Sequence, residues 1–139
     1  WLNDWNNKSG HRQSKYWVTT PNADLSSLLK GLTRDQLGPC LQFLTGHGWW
    51  QGHLYTARLS DTDECRLCRE GEESPIHLYE DCIALVEQRL EVFRVRFPDQ
   101  SLLRQTSIWK RLLEFISIDE IQELILYQPS NVNSKDLLQ

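Results

Sequence analysis

Cys65, Cys68, His77 and Cys82 stand in a Cys-x2-Cys-x8-His-x4-Cys array, four potential metal ligands within eighteen residues. Three thiols and one imidazole match the number and chemistry that a tetrahedral zinc ion takes. A chain that must bring them to one point has few ways to fold there. Cys65 and Cys68 bracket a tight turn, while Ser74-Pro75 precedes His77 and Cys82 and reads as a helix start. With all four positions supplied by protein, no place is left for a catalytic water, so the array predicts one closed, structural Zn2+ site.

Two other uses of the cysteines compete with this reading. Cys65 and Cys68 are too close in sequence to bridge well outside a redox turn, and a disulfide to Cys82 would then call on Cys40. A redox pair wants a strand before it and a helix straight after. Here Asp61, Asp63, Glu64, Glu70, Glu72 and Glu73 surround the thiols. Negative neighbours raise a thiol pKa and disfavour a reactive thiolate, whereas a divalent cation tolerates them.

The 139 residues suit one domain with a core of its own, and 40% hydrophobic with 24% charged residues is ordinary for a soluble globule. No apolar run approaches a membrane span or a secretory signal. Zinc thiolates fit a reducing compartment, so a cytoplasmic or nuclear location is expected. The first residue is Trp1 and not Met, so the chain is expected to begin inside a longer protein. The net charge of −4 hides a gradient: residues 1–60 hold six Lys/Arg against three Asp/Glu, residues 61–139 nine against sixteen. The two halves present different surfaces to a charged partner.

Residues 1–22 read as a basic, aromatic arm or linker with a short helix. A helical domain is expected over 23–128, with the zinc knuckle at 65–82 inside it, and a polar tail over 129–139. Asn22 and Asp24 can cap a helix carrying Leu25, Leu28 and Leu29 that breaks near Gly31; Thr33 then caps a second, with Pro39 kinking it or marking its first turn. Trp49 to Leu59 resumes a helical pattern. Ile76, Tyr79, Ile83, Val86, Leu90, Phe93 and Phe97 form the strongest helical stripe of the chain, ended by Pro98. His77 and Cys82 lie five positions apart, about 140° around an ideal helix. One ion cannot easily collect both from a regular helix, so the first turn should be loosened or 3₁₀-like, with regular helix from about Ile83. Residues 101–116 predict another helix, and Asp119 caps a last one. Period-two alternation is nearly absent, so the fold class is mainly α: a small multi-helix domain with an embedded Cys-Cys-His-Cys knuckle.

The run Leu44-Thr45-Gly46-His47, then His53-Leu54, then Asp63-Glu64-Cys65-Arg66-Leu67-Cys68, then Glu73, His77-Leu78, Cys82 and Arg89 closely resembles the C-terminal region of jockey-like, non-LTR retrotransposon reverse transcriptases. The resemblance covers roughly residues 20–95. It implies that Cys65, Cys68, His77 and Cys82 are zinc ligands and that the region helps a polymerase hold template RNA or target DNA during target-primed reverse transcription. That family often has Pro directly after the last ligand, where this chain has Ile83. No polymerase aspartate motif or ribonuclease H carboxylate set lies in the chain, so the enzymatic chemistry is expected elsewhere in a parent protein.

Lys8, Arg12, Lys15, Lys30, Arg34 and Arg58, with Arg66 and Arg69 at the knuckle, could track a phosphate backbone. Trp5, Trp17 and Trp50 are the better candidates for stacking on unpaired bases, and Trp49 and Trp109 for packing. A pI near 5.5 weighs against a dedicated nucleic-acid binder. His47 and His53 read as local hydrogen-bonding groups at a helix end, and Cys40 as a small core residue. The expected function is a non-catalytic, zinc-stabilised module that binds RNA or single-stranded DNA beside its parent polymerase domains. The competing reading is a structural or protein-interaction domain, host-domesticated from such an element, whose Ile76–Phe97 helix packs on a partner or forms a homodimer.

Overall fold

The computed structural model describes residues 12–19, 22–105 and 107–130. Eight α-helices occur among them: α1 (Arg12–Trp17), α2 (Ala23–Lys30), α3 (Arg34–Thr45), α4 (Gln51–Thr56), α5 (Pro75–Glu80), α6 (Val86–Phe93), α7 (Ile108–Ile116) and α8 (Asp119–Leu126). Short 3₁₀ turns at Ile83–Leu85 and Gln100–Arg104 precede α6 and α7. The only strand-like pairing among the described residues is an isolated antiparallel bridge between Glu64 and Glu72, inside the knuckle. The architecture is mainly α.

Local rules set most helix starts. Asn22 Oδ1 accepts from Leu25 N at 2.9 Å, and Thr33 and Gln36 form a reciprocal capping box that opens α3. Pro39 lies within α3, which runs on to Thr45 and closes on Gly46 in the left-handed region at φ 74°. A Cβ at Gly46 would also fall 2.3 Å from Gln13, so both conformation and space require glycine.

The core is an aromatic cluster. Trp17 meets Phe43 and Tyr79, Phe43 meets Trp50 and Phe115, and Phe93 meets Tyr79 and Phe115, with centroids 5.1–6.3 Å apart and mostly edge-to-face. Such pairs add about 0.5–1.5 kcal/mol each beyond their burial. Because Trp17 ends α1, this cluster draws the expected N-terminal arm into the globule from Arg12 onward. The Tyr16 hydroxyl ties it further by donating to Glu80.

The long stripe does not make one helix. α5 starts with a regular α-turn at Pro75, capped by Ser74, and stops at Glu80. Asp81 and Cys82 leave the helix, and regular α structure resumes only at Val86. The loosening expected in the first turn thus occurs at the end of α5, and Ile83 and Phe97 are left exposed. Residues 101–116 divide likewise, with α7 starting at Ile108, and Asp119 is the first residue of α8 and not its cap.

Candidate metal centre

The first two ligands are set by the turn that follows Cys65. Arg69 N donates to Cys65 O at 2.9 Å, Cys65 N donates to Gly71 O at 2.7 Å, and Arg69 takes the left-handed conformation that closes the loop. Glu70 N points at Cys68 Sγ from 3.4 Å. The other two come from α5 and its end. His77 projects from the first turns of α5, and His77 O accepts from both Asp81 N and Cys82 N. That doubled bond turns the chain out of the helix and swings Cys82 back toward His77, which resolves the 140° mismatch.

The four ligand atoms lie within 4.8 Å of one another. Cys65 Sγ and Cys82 Sγ are 3.9 Å apart, and Cys68 Sγ and His77 Nε2 are 3.3 Å apart. A tetrahedral ion with bonds near 2.3 Å to sulfur needs its ligand atoms about 3.5–3.8 Å apart, whereas a disulfide needs about 2.05 Å. All four cysteines are free. The residues therefore fit a metal ion and not a disulfide. Cys65 and Cys82 are fully buried, and the space is cut to size: a Cβ on Gly71 would lie 2.8 Å from His77 Cε1.

With Nε2 turned to the thiols, His77 Nδ1 lies 2.7 Å from Asp81 Oδ1. This carboxylate fixes the ring and its tautomer, as outer partners of metal-bound imidazoles do. Asp81 was not read from the sequence, although its i,i+4 spacing from His77 was the available signal. The electrostatics suit a cation. The Cys82 thiol, hydrogen-bonded to Cys65, holds Cys65 well below the ordinary thiol range and is itself pushed up. Burial works to lower His77, but hydrogen bonds with Cys65 and Cys68 and the charges of Cys65 and Asp81 outweigh it, raising the imidazole to about 9. Metal-free, the cluster holds protons that a cation would displace.

Arg66, placed by sequence among the phosphate contacts, is instead committed inside the protein. Its guanidinium pairs with Glu73 at 2.7 Å and donates to the carbonyls of Trp49, Leu124 and Tyr127. Glu73 is fully buried and also accepts from Arg66 N and Gln51 N. The family resemblance singles out Glu73, but nothing in the acidic run shows that it, and not Glu70 or Glu72, would be buried against Arg66. Arg89 is fully buried as well, bonded to the carbonyls of Leu78 and Arg96 and lying over Phe97.

Two further expectations are corrected. Trp17 and Trp50 are 2% and 1% exposed and belong to the core, and Trp50 Nε1 donates to Gln42 O. Their faces are spent on Phe43 and Tyr79, leaving none for a base. Lys8 and Trp5 lie outside the described residues. Arg12, Lys30, Arg34, Arg58 and Arg69 are exposed, Arg12 within 3.7 Å of Glu72, and Lys15 is half-buried. Lys30 and Arg34 flank the α2–α3 turn, Arg58 follows α4, and Arg69 sits on the knuckle. Cys40 is a buried core thiol, pushed up to about 11 by burial. His47 and His53 stack with centroids 4.9 Å apart, and the only metal-competent group among the described residues is the Cys3His cluster.

Among the described residues no helix is long and apolar enough to cross a membrane. Comparisons with models of known families, with curated proteins and with solved structures return no match to this chain.

Proposed function

We propose that the Cys3His centre holds a single structural Zn2+ and that the chain is a non-catalytic module that grips single-stranded RNA or DNA by its phosphates, within a reverse transcriptase of the non-LTR retrotransposon kind. The observation that carries the zinc reading is the donor set itself: three thiols and an imidazole whose ligand atoms all lie within 4.8 Å of one another, Cys65 and Cys82 fully buried. The nucleic-acid reading rests on the exposed cations and on the resemblance of the ordered motifs to those of that family. Arg58 and Arg69 support it most, because both occupy left-handed backbone positions where glycine is the default. Each keeps a long, exposed cation at a conformational cost, and among the described residues neither is engaged in an ion pair. With Trp17 and Trp50 enclosed and Arg66 committed to Glu73, binding depends on phosphates and not on base stacking, so it is weak and salt-sensitive.

Fluorescence anisotropy with a single-stranded oligonucleotide across a salt series tests this. The zinc-loaded chain should bind at low salt, and removing Arg58 or Arg69 should reduce the slope of log K against log salt by about 0.7 per lost phosphate contact. Absence of binding at about 50 mM salt, the regime in which phosphate contacts are strong, with zinc present at one equivalent, overturns the nucleic-acid reading.

The exposed apolar residues favour the interaction-domain reading. Phe97 is 56% exposed, Ile83 53% and Tyr127 66%, whereas Val92 packs against the core. If light scattering finds a dimer that Ile83→Ser or Phe97→Ser dissolves, this second reading takes its place.

A further inference from the structure

Arg66 sits between two ligands, and its side chain leaves the knuckle to reach the far end of the molecule's last described helix. It donates to Tyr127 O at 2.7 Å and to Leu124 O at 3.2 Å, carbonyls at the C-terminal end of α8, where a cation also meets the negative end of the helix dipole. The same guanidinium holds Trp49 O just before α4 and the buried carboxylate of Glu73. Glu73 in turn receives Gln51 N through its side chain, and its own carbonyl receives Gly52 N at 2.9 Å. One residue of the knuckle therefore joins the start of α4 to the end of α8.

We propose that metal binding latches α8 and α4 to the knuckle through Arg66, so that release of the metal frees the C-terminal turn of α8. The physical reason is that Arg66 has no helix of its own to fix it. Its backbone lies in the four-residue turn between Cys65 and Cys68, which a few hydrogen bonds hold, among them Arg69 N to Cys65 O and Arg66 N to Glu73. Without its ion that short turn loses the constraint the two thiolates add. Once Arg66 leaves, Glu73 is a buried carboxylate with its main countercharge gone, and the Leu124 and Tyr127 carbonyls lose their donor. The loss is local. The aromatic core that packs α1, α3, α6 and α7 does not pass through Arg66. The consequence is a metal-dependent change in how α8 presents Leu126 and Tyr127, which are already 64% and 66% exposed at its end. This inference rests on the zinc reading of the Cys3His centre.

Hydrogen exchange followed residue by residue by NMR, on zinc-loaded and chelated samples with metal content measured on each, is the test. The amides of Gln51, Gly52 and Tyr127 report the latch, and that of Gly46, bonded to Gln42 O in α3, serves as the reference. On stripping the zinc, exchange at the three should rise about tenfold or more while Gly46 changes by less than about twofold. Arg66→Ala with its zinc still bound should exchange at those sites like the stripped parent and respond no further to chelator. Arg66→Lys keeps the charge but not the planar fork, and should deprotect Tyr127 in the same way with zinc bound. Equal exchange at the three amides with and without zinc overturns the proposal, as does a parallel rise at Gly46 or wild-type protection in zinc-loaded Arg66→Lys. A parent chain that binds no zinc refutes the metal reading first, and the latch falls with it.

Discussion

At the scale of single residues, the outer contacts of the metal centre are the sharpest handles. Asp81 touches His77 and none of the thiols in any hydrogen bond, so Asp81→Asn should leave the fold intact and lower metal affinity about 10–100-fold, read by competition with a chromogenic chelator. Gly71→Ala should act through the same imidazole, by driving a methyl group into the ring edge. Arg69→Gly separates structure from function. It relieves a left-handed backbone, so thermal stability should hold or rise by up to about 1 kcal/mol while oligonucleotide affinity falls. His53 has a pH signature of its own. Burial first, and the His47 charge second, hold it below its ordinary 6.5. The unfolded chain then takes up a proton that the folded chain resists, so this contribution is complete above the unfolded pKa and is lost as pH falls below it. Denaturant melts between neutral and mildly acid pH should show that decline, and His53→Asn should flatten it in samples whose zinc content is unchanged.

At the scale of elements, the ligands override helical periodicity. The apolar stripe from Ile76 to Phe97 obeys the spacing of one continuous helix, and local propensity alone would build it. Collecting His77 and Cys82 on one ion requires about 140° of rotation to be undone, and the chain achieves this by ending α5 at Glu80. Cys82 is then extended, and Ile83 faces solvent. Caps give an internal control. Thr33→Ala and Ser74→Ala each remove a side-chain acceptor at a helix start and should each cost about 1 kcal/mol in denaturant melts. Only Ser74→Ala should also weaken metal binding, because its hydroxyl receives the His77 amide.

At the scale of the whole molecule, the proposed metal and the aromatic core act as two separate supports. Cys65→Ser or Cys82→Ser should leave less than one equivalent of metal and destabilise the chain by about 4–5 kcal/mol or more, the range in which metal loss falls. Far-UV circular dichroism should nevertheless retain much of its helical signal, since the cluster of Trp17, Phe43, Tyr79, Phe93 and Phe115 is held by packing. Trp50→Ala should cost about 3–5 kcal/mol through the core with zinc still bound. A chelator that abolished all helicity would contradict this division.

The ligand set, the helix starts at Asn22, Thr33 and Ser74, and the mainly α class were legible in the sequence because each depends on residues close together along the chain. Spacing, capping and the chemistry of thiols act over a few positions. The five-residue spacing of His77 and Cys82 predicts a disturbed helix but not that the break falls at Asp81. The enclosure of Trp17 and Trp50 and the commitment of Arg66 to Glu73 and to carbonyls some sixty residues away depend on which distant surfaces meet. An exposed arginine and a buried one look the same in a sequence, since only packing decides whether the charge faces water or a carboxylate inside the fold.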